Sequence, residues 1–487
     1  GGYNYQTWIN DLGATVNYDL MRLGLRYENV SFPTTKQAEP FAYKTAIDLA
    51  AFFGRLEYNY DGWLSASASL RREGSSRFGS NHRWGNFPAF GVGIDFAELA
   101  ELDFANQLKL RASYGITGNL PVDGIYAGQI FRQQGTVYYN GQFIPSYGPG
   151  NNINPDLKWE ERREFNLGLD FMILNGHLTG SVDYYRGQTN DIIYNYSVPV
   201  PPNFFNRYHE NMIDFSNRGV EIVLRALPVQ GAQFAWEIGV NFASDRTSIK
   251  AINPSQGEDF DDFIPFPYLG TGGCCFTELT EIQEDEALGR FIAWEVERVE
   301  NGFPVQKDQN GDGFINAGDF IEIGNALPRF TYSISNTLRW RSFDLNFFLR
   351  GVAGHDLVNV HRLAFSNPVN FGRYNVHEDA LASPRTPSST PIDRRFVENA
   401  SFLRLENLVL AYNFNVQKNA LISRLKLYAA AQNLFTLTEY SGPDPEVRLN
   451  NRGGEFLFNP NPLVPGIDAR MTYLPTRTFT LGVQAMF

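Results

Sequence analysis

The composition of this 487-residue chain excludes several classes of protein. Aromatic residues make up 15% of the sequence, with 40 Phe and 24 Tyr, yet the mean hydropathy is only -0.30. No run approaches the roughly 18 consecutive apolar residues of a membrane helix, so an α-helical membrane protein is excluded. The net charge of -12 argues against nucleic acid or anionic lipid as the main partner. These properties favour strands that each have one apolar and one polar face.

Alternation of apolar and polar residues predicts fifteen β-strands. In chain order they lie near 7–17, 20–28, 50–59, 63–72, 86–96, 106–116, 164–173, 178–186, 218–226, 233–242, 330–340, 343–350, 401–414, 424–434 and 476–487. The clearest example is 331–340, where Tyr332, Ile334, Leu338 and Trp340 alternate with Ser, Thr and Arg. Each segment has about the ten residues of a tilted strand that spans a bilayer.

The connections between these strands are alternately short and long. Asn175-Gly176 and Arg341-Ser342 form tight turns, whereas the connections near 187–217, 243–329, 352–400 and 435–475 are long. Short periplasmic turns and long extracellular loops are typical of barrels in the bacterial outer membrane, and a soluble β-sandwich would not need this asymmetry. The sequence therefore predicts an all-β fold, a transmembrane antiparallel β-barrel surrounded by the lipid bilayer.

The ends of the chain also carry predictions. An odd count of fifteen would leave the first and last strands parallel, although bacterial single-chain barrels close with an even number. Unpaired strand edges in lipid cost several kcal/mol per backbone group. We therefore expect residues 1–487 to be the C-terminal portion of a larger barrel, whose first strands belong to another polypeptide segment. The start at Gly1, without Met or an apolar leader, fits a missing N-terminal part or a removed signal.

The last predicted strand ends with alternating apolar residues and a terminal aromatic residue. Phe479, Leu481, Val483 and Phe487 share its outward face. This pattern is typical of the assembly signal that the outer-membrane insertion machinery reads.

One loop has the ligand spacing of a calcium site. Residues 308–319 place oxygen-bearing groups at the positions of a twelve-residue Ca²⁺ loop, with Gly313 at its sharp turn. The predicted ligands are Asp308, Asn310, Asp312, the Phe314 carbonyl, Asn316 and Asp319. The alternative is a polar turn that is closed by its own side-chain to backbone hydrogen bonds. Bound Ca²⁺ would have a structural role.

Nothing in the sequence predicts a catalytic centre. The six histidines lack the spacing of a metal site or a catalytic triad, and no nucleophile elbow or phosphate-binding loop occurs. Adjacent Cys274 and Cys275 do not fit a zinc site and are either a vicinal disulfide or two free thiols. We expect no enzyme activity.

Aromatic residues beside amides occur in the predicted external loops. Tyr138, Tyr139, Tyr194 and Tyr196 are candidate substrate contacts, because aromatic faces suit sugar rings and also peptides. The alternatives for each residue are loop packing and an interfacial aromatic girdle.

Six segments, in order along the chain, resemble the SusC/RagA family of TonB-dependent outer-membrane transporters. They are LRREGSSRFG with RWGNFP at 70–88, ASYGITGN at 112–119, NPDLKWE at 154–160, NRGVE at 217–221, ASFLRLENL at 400–408 and AQNLFT at 431–436. The resemblance covers roughly residues 60–487. It implies a 22-stranded barrel with an N-terminal plug and a TonB box, both absent from this sequence.

The same resemblance implies a function in nutrient uptake. A SusD-like surface lipoprotein typically caps such a barrel, and TonB energises import of a bulky oligosaccharide or peptide. Three alternatives remain: a passive porin, an outer-membrane enzyme, and a structural or secretion-associated barrel. An unobstructed channel would favour the porin, and converging acid, base or nucleophile residues would favour the enzyme.

Overall fold

The chain folds almost entirely as β-structure. The computed structural model describes residues 1–12, 43–120, 127–128, 131–255, 263–267, 278–372, 375–381, 393–414, 422–446, 463, 465–468 and 475–486. Fourteen strands form one antiparallel sheet in which neighbours follow the order of the chain. They are β1 (Gly2–Leu12), β2 (Tyr43–Tyr60), β3 (Leu64–Ser75), β4 (Trp84–Asp95), β5 (Ala105–Asn119), β8 (Glu160–Ile173), β9 (Leu178–Ser197), β10 (Arg207–Gln230), β11 (Phe234–Ile252), β18 (Phe330–Trp340), β19 (Phe343–Ala353), β22 (Phe402–Phe414), β23 (Arg424–Thr438) and β25 (Thr478–Met486).

The predicted strands from 50–59 onward all appear in this sheet. β1 begins five residues earlier than the predicted span 7–17, and the predicted span 20–28 lies outside the described residues. β1 pairs directly with β2, and no described strand lies between them. The described sheet therefore has fourteen strands, compared with the fifteen predicted. Because fourteen is even, β1 and β25 run antiparallel, and the parity argument for additional strands does not apply to this sheet. Each of these two strands has one neighbour among the described strands.

Strand register gives the sheet one apolar and one polar face. Val182 lies opposite Ile222, which lies opposite Phe242, and Phe242 lies opposite Tyr332. The residues directly before and after each of these point to the other face of the sheet, because side chains alternate along a strand. That second face carries mainly Ser, Thr, Asn and charged side chains. Leu481 on the apolar face of β25 is 84% exposed, as expected for a surface that contacts lipid.

Aromatic rings border the apolar face at both edges. Near the short turns, the Trp340 and Phe343 ring centroids are 6.3 Å apart, and the Tyr412 ring is 4.9 Å from that of Phe343. At the opposite edge, the Phe330 ring lies 5.8 Å from Phe242 and 6.2 Å from Tyr332. Two aromatic girdles at the interfaces are characteristic of outer-membrane barrels.

The predicted asymmetry of the connections is confirmed. Residues 61–63, 174–177, 231–233 and 341–342 are tight turns on one edge. The opposite edge carries the connections at 120–159, 253–329, 354–401 and 439–477. The predicted loop at 187–217 is instead mostly an extension of β9 and β10, with a connection of only 198–206. Burial of Tyr196, Tyr208 and Ile213 in one apolar cluster stabilises this extension.

The described residues of the long connections form an ordered external body. Its strands are β6 (Phe131–Tyr139), β7 (Gln142–Pro149), β12 (Phe263–Pro267), β13 (Glu278–Gln283), β14 (Arg290–Trp294), β15 (Val296–Glu300), β16 (Phe303–Gln306), β17 (Phe320–Asn325), β20 (Asp356–Asn359), β21 (Val397–Asn399) and β24 (Ile467–Asp468). One buried cluster joins Phe291 and Ile323 of the connection 253–329 to Val358, Leu363 and Phe396 of the connection 354–401. Packing of these side chains holds the body together.

Helices are few and short. α1 (Phe96–Leu99) follows β4, and α2 (Val360–Phe365) follows β20. The 3₁₀ helices cover Ala317–Asp319, Pro368–Asn370, Glu378–Leu381 and Arg394–Phe396. Within the described ranges, no helix has the length and apolarity needed to cross a membrane.

Candidate functional site: the inner wall and the external rim

The polar face of the barrel wall carries fixed ion pairs. The guanidinium of Arg111 on β5 donates to Asp170 on β8 at 2.6 and 2.8 Å, and to Asp183 on β9 at 3.1 Å. A Cβ at Gly168 would lie 2.4 Å from Asp183 and 2.7 Å from Arg111, so glycine makes room for this cluster. A cavity of about 330 Å³ beside Arg111 is lined by Arg55, Glu57 and Lys109, among others. The inner wall therefore offers charged and hydroxyl groups to a polar solute.

At the external rim, two of the family-like segments pack against each other. The Phe78 ring is 4.7 Å from Trp159, and the Phe87 ring is 5.3 Å from it. The Trp159 indole N–H donates to the Arg83 carbonyl at 3.1 Å, and the Gly79 N–H donates to the Leu157 carbonyl at 2.9 Å. We call the contact between 76–88 and 154–160 the aromatic lock.

The aromatic lock is tied to the β9–β10 extension by amide side chains. Asn211 accepts from the Lys158 N–H and donates back to the Lys158 carbonyl, both at 2.9 Å. The Asn154 side chain donates to the His209 carbonyl at 2.8 Å. These bonds satisfy backbone groups of an irregular segment, so the motif NPDLKWE serves as a junction between three parts of the rim.

A charged cluster anchors the connection that follows β23. Arg350 donates to Glu406 and Glu446 at 2.6 Å each, and Arg404 donates to Asp444 at 2.6 Å. The Arg404 side chain is only 6% exposed. We call these five residues the rim charge cluster. Because the connection supplies Asp444 and Glu446 and the wall supplies the arginines, the cluster fixes the segment 439–446 to the barrel.

A β-bulge positions the arginines of this cluster. The register between β22 and β23 shifts between Leu405 and Asn407, and Asn433 adopts a φ of 50° beside the shift. In this pairing β23 carries the extra residue. Relative to β19, the extra residue is Glu406, because Phe348 lies opposite Asn407 and Leu349 opposite Leu405, and Glu406 accepts from Arg350. Phe402 lies under both arginines, with guanidinium carbons 5.3 and 5.0 Å from its ring centroid. A bulge changes the direction in which nearby side chains point. The segments ASFLRLENL and AQNLFT contain the residues of this irregularity.

The predicted calcium loop is closed by its own hydrogen bonds. Asp308 accepts from the N–H groups of Gly311 and Gly313 at 2.6 and 2.8 Å, and buried Asp319 accepts from Gln309 and Asn316 at 2.8 and 2.9 Å. Hydrogen bonding from the Asn316 N–H lowers the pKa of the Asp319 carboxyl.

The other predicted ligands make similar bonds. Asn310 and Asp312 bond each other, the Phe314 N–H donates to Asp312 at 2.7 Å, and the Asn316 side chain accepts from Gly318. Among the described residues, no three His, Cys, Asp or Glu side chains are grouped as a metal site.

The predicted aromatic contacts occupy two different environments. Tyr138 and Tyr139 project from the β6–β7 hairpin and are 64% and 69% exposed. Tyr194 and Tyr196 pack in the β9–β10 extension, where the buried Tyr196 hydroxyl donates to Glu210 at 2.6 Å. The structure does not bring the four residues together.

The remaining predicted features lie apart from one another. Phe479, Leu481 and Val483 line the outward face of β25, while Phe487, Cys274 and Cys275 lie outside the described residues. His355 is buried beneath the connection 439–446, where its Nε2 faces the Pro445 carbonyl at 3.2 Å.

Comparison with known proteins identifies this architecture. The model of a family described as "TonB dependent receptor-like, beta-barrel" matches residues 1–434. The chain belongs to this family. As a member of the TonB-dependent receptors, it is an outer-membrane protein, and its family is one of transporters and not of enzymes, as the sequence predicted. The resemblance to SusC and RagA is also confirmed by individual relatives.

Two curated relatives are similar over nearly the whole chain. TonB-dependent receptor SusC of Bacteroides thetaiotaomicron is 29% identical in an alignment of 473 residues that covers 93% of this chain and 45% of SusC. TonB-dependent receptor P3 of Formosa agariphila is 27% identical over 525 residues, covering 100% of this chain and 50% of the relative. The chain thus spans about half the length of the curated relatives that it matches.

A solved structure has the same fold. The RagAB peptide importer in the "open-open" state superposes with a TM-score of 0.79 at 23% identity, over 100% of this chain and 52% of that chain. At this identity the likeness concerns the fold alone.

Sequence reasoning missed the main polar clusters of this receptor. The Arg111 cluster and the rim charge cluster join residues that are 40 to 96 positions apart. The alternation of apolar and polar residues predicts that such charged side chains lie on the inner face. Only the register between strands shows which of these side chains are in contact. The motifs pointed to the aromatic lock without revealing their mutual contact.

Proposed function

We propose that this chain forms the C-terminal barrel wall of a TonB-dependent importer of bulky nutrients. The main supporting observation is the fourteen-stranded sheet, with its apolar lipid face, charged inner face and ordered external body on one edge. A wall of this kind supports a wide polar passage. The relatives named as TonB-dependent receptors support energised uptake over passive diffusion.

Energy dependence tests this proposal against the porin alternative. Uptake of fluorescent oligosaccharide and peptide pools is measured in cells that carry or lack the receptor, with and without TonB. The importer predicts receptor-dependent accumulation that disappears without TonB. Equal uptake in cells without TonB would favour a porin, and no receptor-dependent uptake of either pool would contradict the nutrient function.

We further propose a SusD-like surface lipoprotein as partner, in line with the SusC/RagA resemblance. The ordered external body provides a folded platform for such a cap, and the β6–β7 hairpin presents an aromatic surface. Phe143 and Tyr147 are 73% and 68% exposed beside Tyr138, whose ring lies 5.1 Å from Phe143. We assign this hairpin to contacts with the lipoprotein or with cargo at the barrel mouth.

Affinity purification of the receptor tests the partner. A lipoprotein should copurify with the wild type, and Tyr138→Ala with Tyr139→Ala should reduce its recovery or reduce uptake. Val299→Ala, an exposed apolar change on the separate β15–β16 hairpin, is the control. Unchanged recovery and unchanged uptake in the tyrosine variant would remove the hairpin from the proposal.

We propose that residues 308–319 bind a structural Ca²⁺ ion. The residue types fit a hard cation that prefers six to eight oxygen ligands. Gly311 and Gly313 have φ angles of 74° and 83°, which allow the chain to wrap around an ion. Carboxylate oxygens that accept one N–H keep further lone pairs for a metal. The Trp294 indole N–H donates to the Asn316 carbonyl at 2.9 Å, which docks the loop on β14.

Protease sensitivity tests the calcium proposal. Chelation of the wild-type receptor, or Asp308→Ala with Asp312→Ala, should increase cleavage near 300–325 while the barrel stays folded. Restored Ca²⁺ should protect the wild type and not the variant. Glu297→Ala on the neighbouring hairpin controls for loss of charge. If calcium and chelator give the same cleavage of the wild type, the loop is a self-closed polar turn.

A further inference from the structure

Three arginines form a ladder on the outward face of the barrel wall. Arg218 on β10 lies directly opposite Arg186 on β9 and directly opposite Arg246 on β11. Opposed residues in antiparallel strands have Cα atoms about 4.5–5.5 Å apart. Like charges at this spacing repel and destabilise the pairing. We call these three residues the arginine ladder.

The arginine ladder has no counter-charge within the protein. All three side chains are exposed, and none forms a hydrogen bond or an ion pair with a residue that the structure describes. Elsewhere on the wall, arginines such as Arg111 and Arg225 pair with carboxylates on a neighbouring strand. An unpaired ladder on three adjacent strands is therefore available to an anion from outside the described chain.

The position of the ladder identifies where that anion lies. Two residues nearer the short turns, the same outward face carries Tyr184, Val220 and Ser244, and beyond them the apolar band continues. On β11, Phe234 at the turn edge and Arg246 are twelve residues apart, slightly more than the 9–11 residues of a bilayer-spanning strand. The ladder thus lies at the headgroup level of the outer leaflet.

A cleft of about 960 Å³ lies over the arginine ladder. Asn325, Leu327 and Pro328 of the external body line it together with the three arginines. Its acidic side chains already have partners: Asp285 pairs with Lys250, and Glu322 pairs with Arg290. Asp356 accepts from the Asn325 N–H, and Asp245 accepts from the Tyr185 hydroxyl. None of these four carboxylates forms an ion pair with a member of the arginine ladder.

We propose that the arginine ladder binds a phosphate group of a lipid headgroup in the outer leaflet. Guanidinium groups bind phosphate oxygens through paired N–H donors. Three adjacent guanidinium groups present enough donors to bind the free oxygens of one phosphate. The lipid chains extend along the apolar face below, so one molecule satisfies the ladder and covers the outward surface of β9, β10 and β11.

Native mass spectrometry of the purified receptor in detergent tests this proposal. The probes are monophosphoryl lipid A, the same lipid without its phosphate, and inorganic phosphate. The wild type should retain monophosphoryl lipid A at least tenfold better than the Arg186→Gln, Arg218→Gln, Arg246→Gln triple variant. The dephosphorylated lipid should not be retained, and millimolar inorganic phosphate should not displace the bound lipid.

Two further variants separate the site from general effects of charge. The inner-face triple variant Arg55→Gln, Arg225→Gln, Arg339→Gln removes the same charge from the opposite face and should retain lipid like the wild type. Arg218→Gln alone removes the arginine that lies opposite both Arg186 and Arg246. This single variant replaces the triple variant in the test if the triple variant does not fold. Equal retention by wild type and Arg218→Gln, equal retention of the dephosphorylated lipid, or displacement by inorganic phosphate would overturn the proposal.

Discussion

Gly79 shows how a single residue permits the aromatic lock. A Cβ at this position would lie 1.7 Å from the Pro155 carbonyl oxygen, and a backbone atom cannot move aside cheaply. We predict that Gly79→Ala separates 76–83 from 154–160 at a cost of about 1–3 kcal/mol. Hydrogen exchange in 154–160 should accelerate while the barrel strands stay protected.

Gly128→Ala is the matched control for this change, since a Cβ there meets no atom within 4 Å. Equal exchange rates in Gly79→Ala and the wild type would show that the two segments do not depend on their close contact. Faster exchange in both glycine variants would point to a general effect of alanine in the rim loops.

Burial of His355 makes the rim sensitive to pH. Burial lowers the pKa of this imidazole below its ordinary value, and its Nδ1 has no hydrogen-bond partner among the described residues. The unfolded segment therefore binds a proton more readily than the folded one. The stability contributed by neutral His355 is present above about pH 6.5 and is lost as the pH falls below it.

We predict that 354–358 and 439–446 exchange hydrogen faster at pH 5 than at pH 7.5, after correction for intrinsic exchange. His355→Gln keeps a donor for the Pro445 carbonyl without a titration in this range, and it should reduce the pH dependence. The control is the same substitution at an exposed histidine, His82→Gln, which should leave the pH dependence of these segments unchanged. The same pH dependence in His355→Gln would assign the effect to another group.

At the scale of elements, the rim charge cluster controls the segment that follows β23. Breaking a buried ion pair costs about 3–5 kcal/mol, whereas an exposed pair contributes about 0–1 kcal/mol. We predict that Arg404→Met releases 439–446 from the wall, because Asp444, with a side chain only 14% exposed, loses its partner. Protease cleavage in this segment should increase several-fold, with uptake reduced if the segment shapes the barrel mouth.

Arg298→Met removes an arginine whose pairs with Glu297 and Glu300 are about half exposed, and it should leave cleavage unchanged. If both variants behave like the wild type, segment 439–446 is held by its apolar contacts, such as those of buried Tyr440 with Leu357 and Ala400.

The elements differ in how far the sequence could predict them. Strands within the bilayer follow from the two-residue period, because lipid on one side and water on the other impose alternation over their whole length. The part of β9 after Tyr184 and the part of β10 before Val220 lack this constraint, because Tyr196 and Met212 pack in a protein core. Their continuation was therefore predicted as a loop.

The candidate site was predictable only in its parts. Twelve consecutive residues encode the geometry of 308–319, so local spacing was enough to single it out. The aromatic lock and the rim charge cluster depend on contacts between distant strands, and alternation does not determine register. The arginine ladder could not be predicted for the same reason, because Arg186, Arg218 and Arg246 become neighbours only through strand pairing.

At the scale of the whole molecule, β1 and β25 are the two end strands of the described sheet. Both strands present backbone groups that must be paired in lipid. Fourteen antiparallel strands satisfy parity, so direct closure is a geometrically consistent alternative to a larger barrel. The 22 strands implied by the family resemblance would place eight further strands, each about 4.8 Å wide, between the two edges.

We predict that β1 and β25 are not adjacent in the assembled receptor, because eight intervening strands give nine inter-strand spacings, or about 43 Å along the wall. With Cys274 and Cys275 replaced by Ser, cysteines at Thr480 and Ala430, which lie opposite each other in β25 and β23, should cross-link efficiently. Cysteines at Thr480 and Asn4 should not react with a thiol cross-linker too short for that distance. Efficient cross-linking of the second pair would show that fourteen strands close on themselves, and the larger barrel would be wrong.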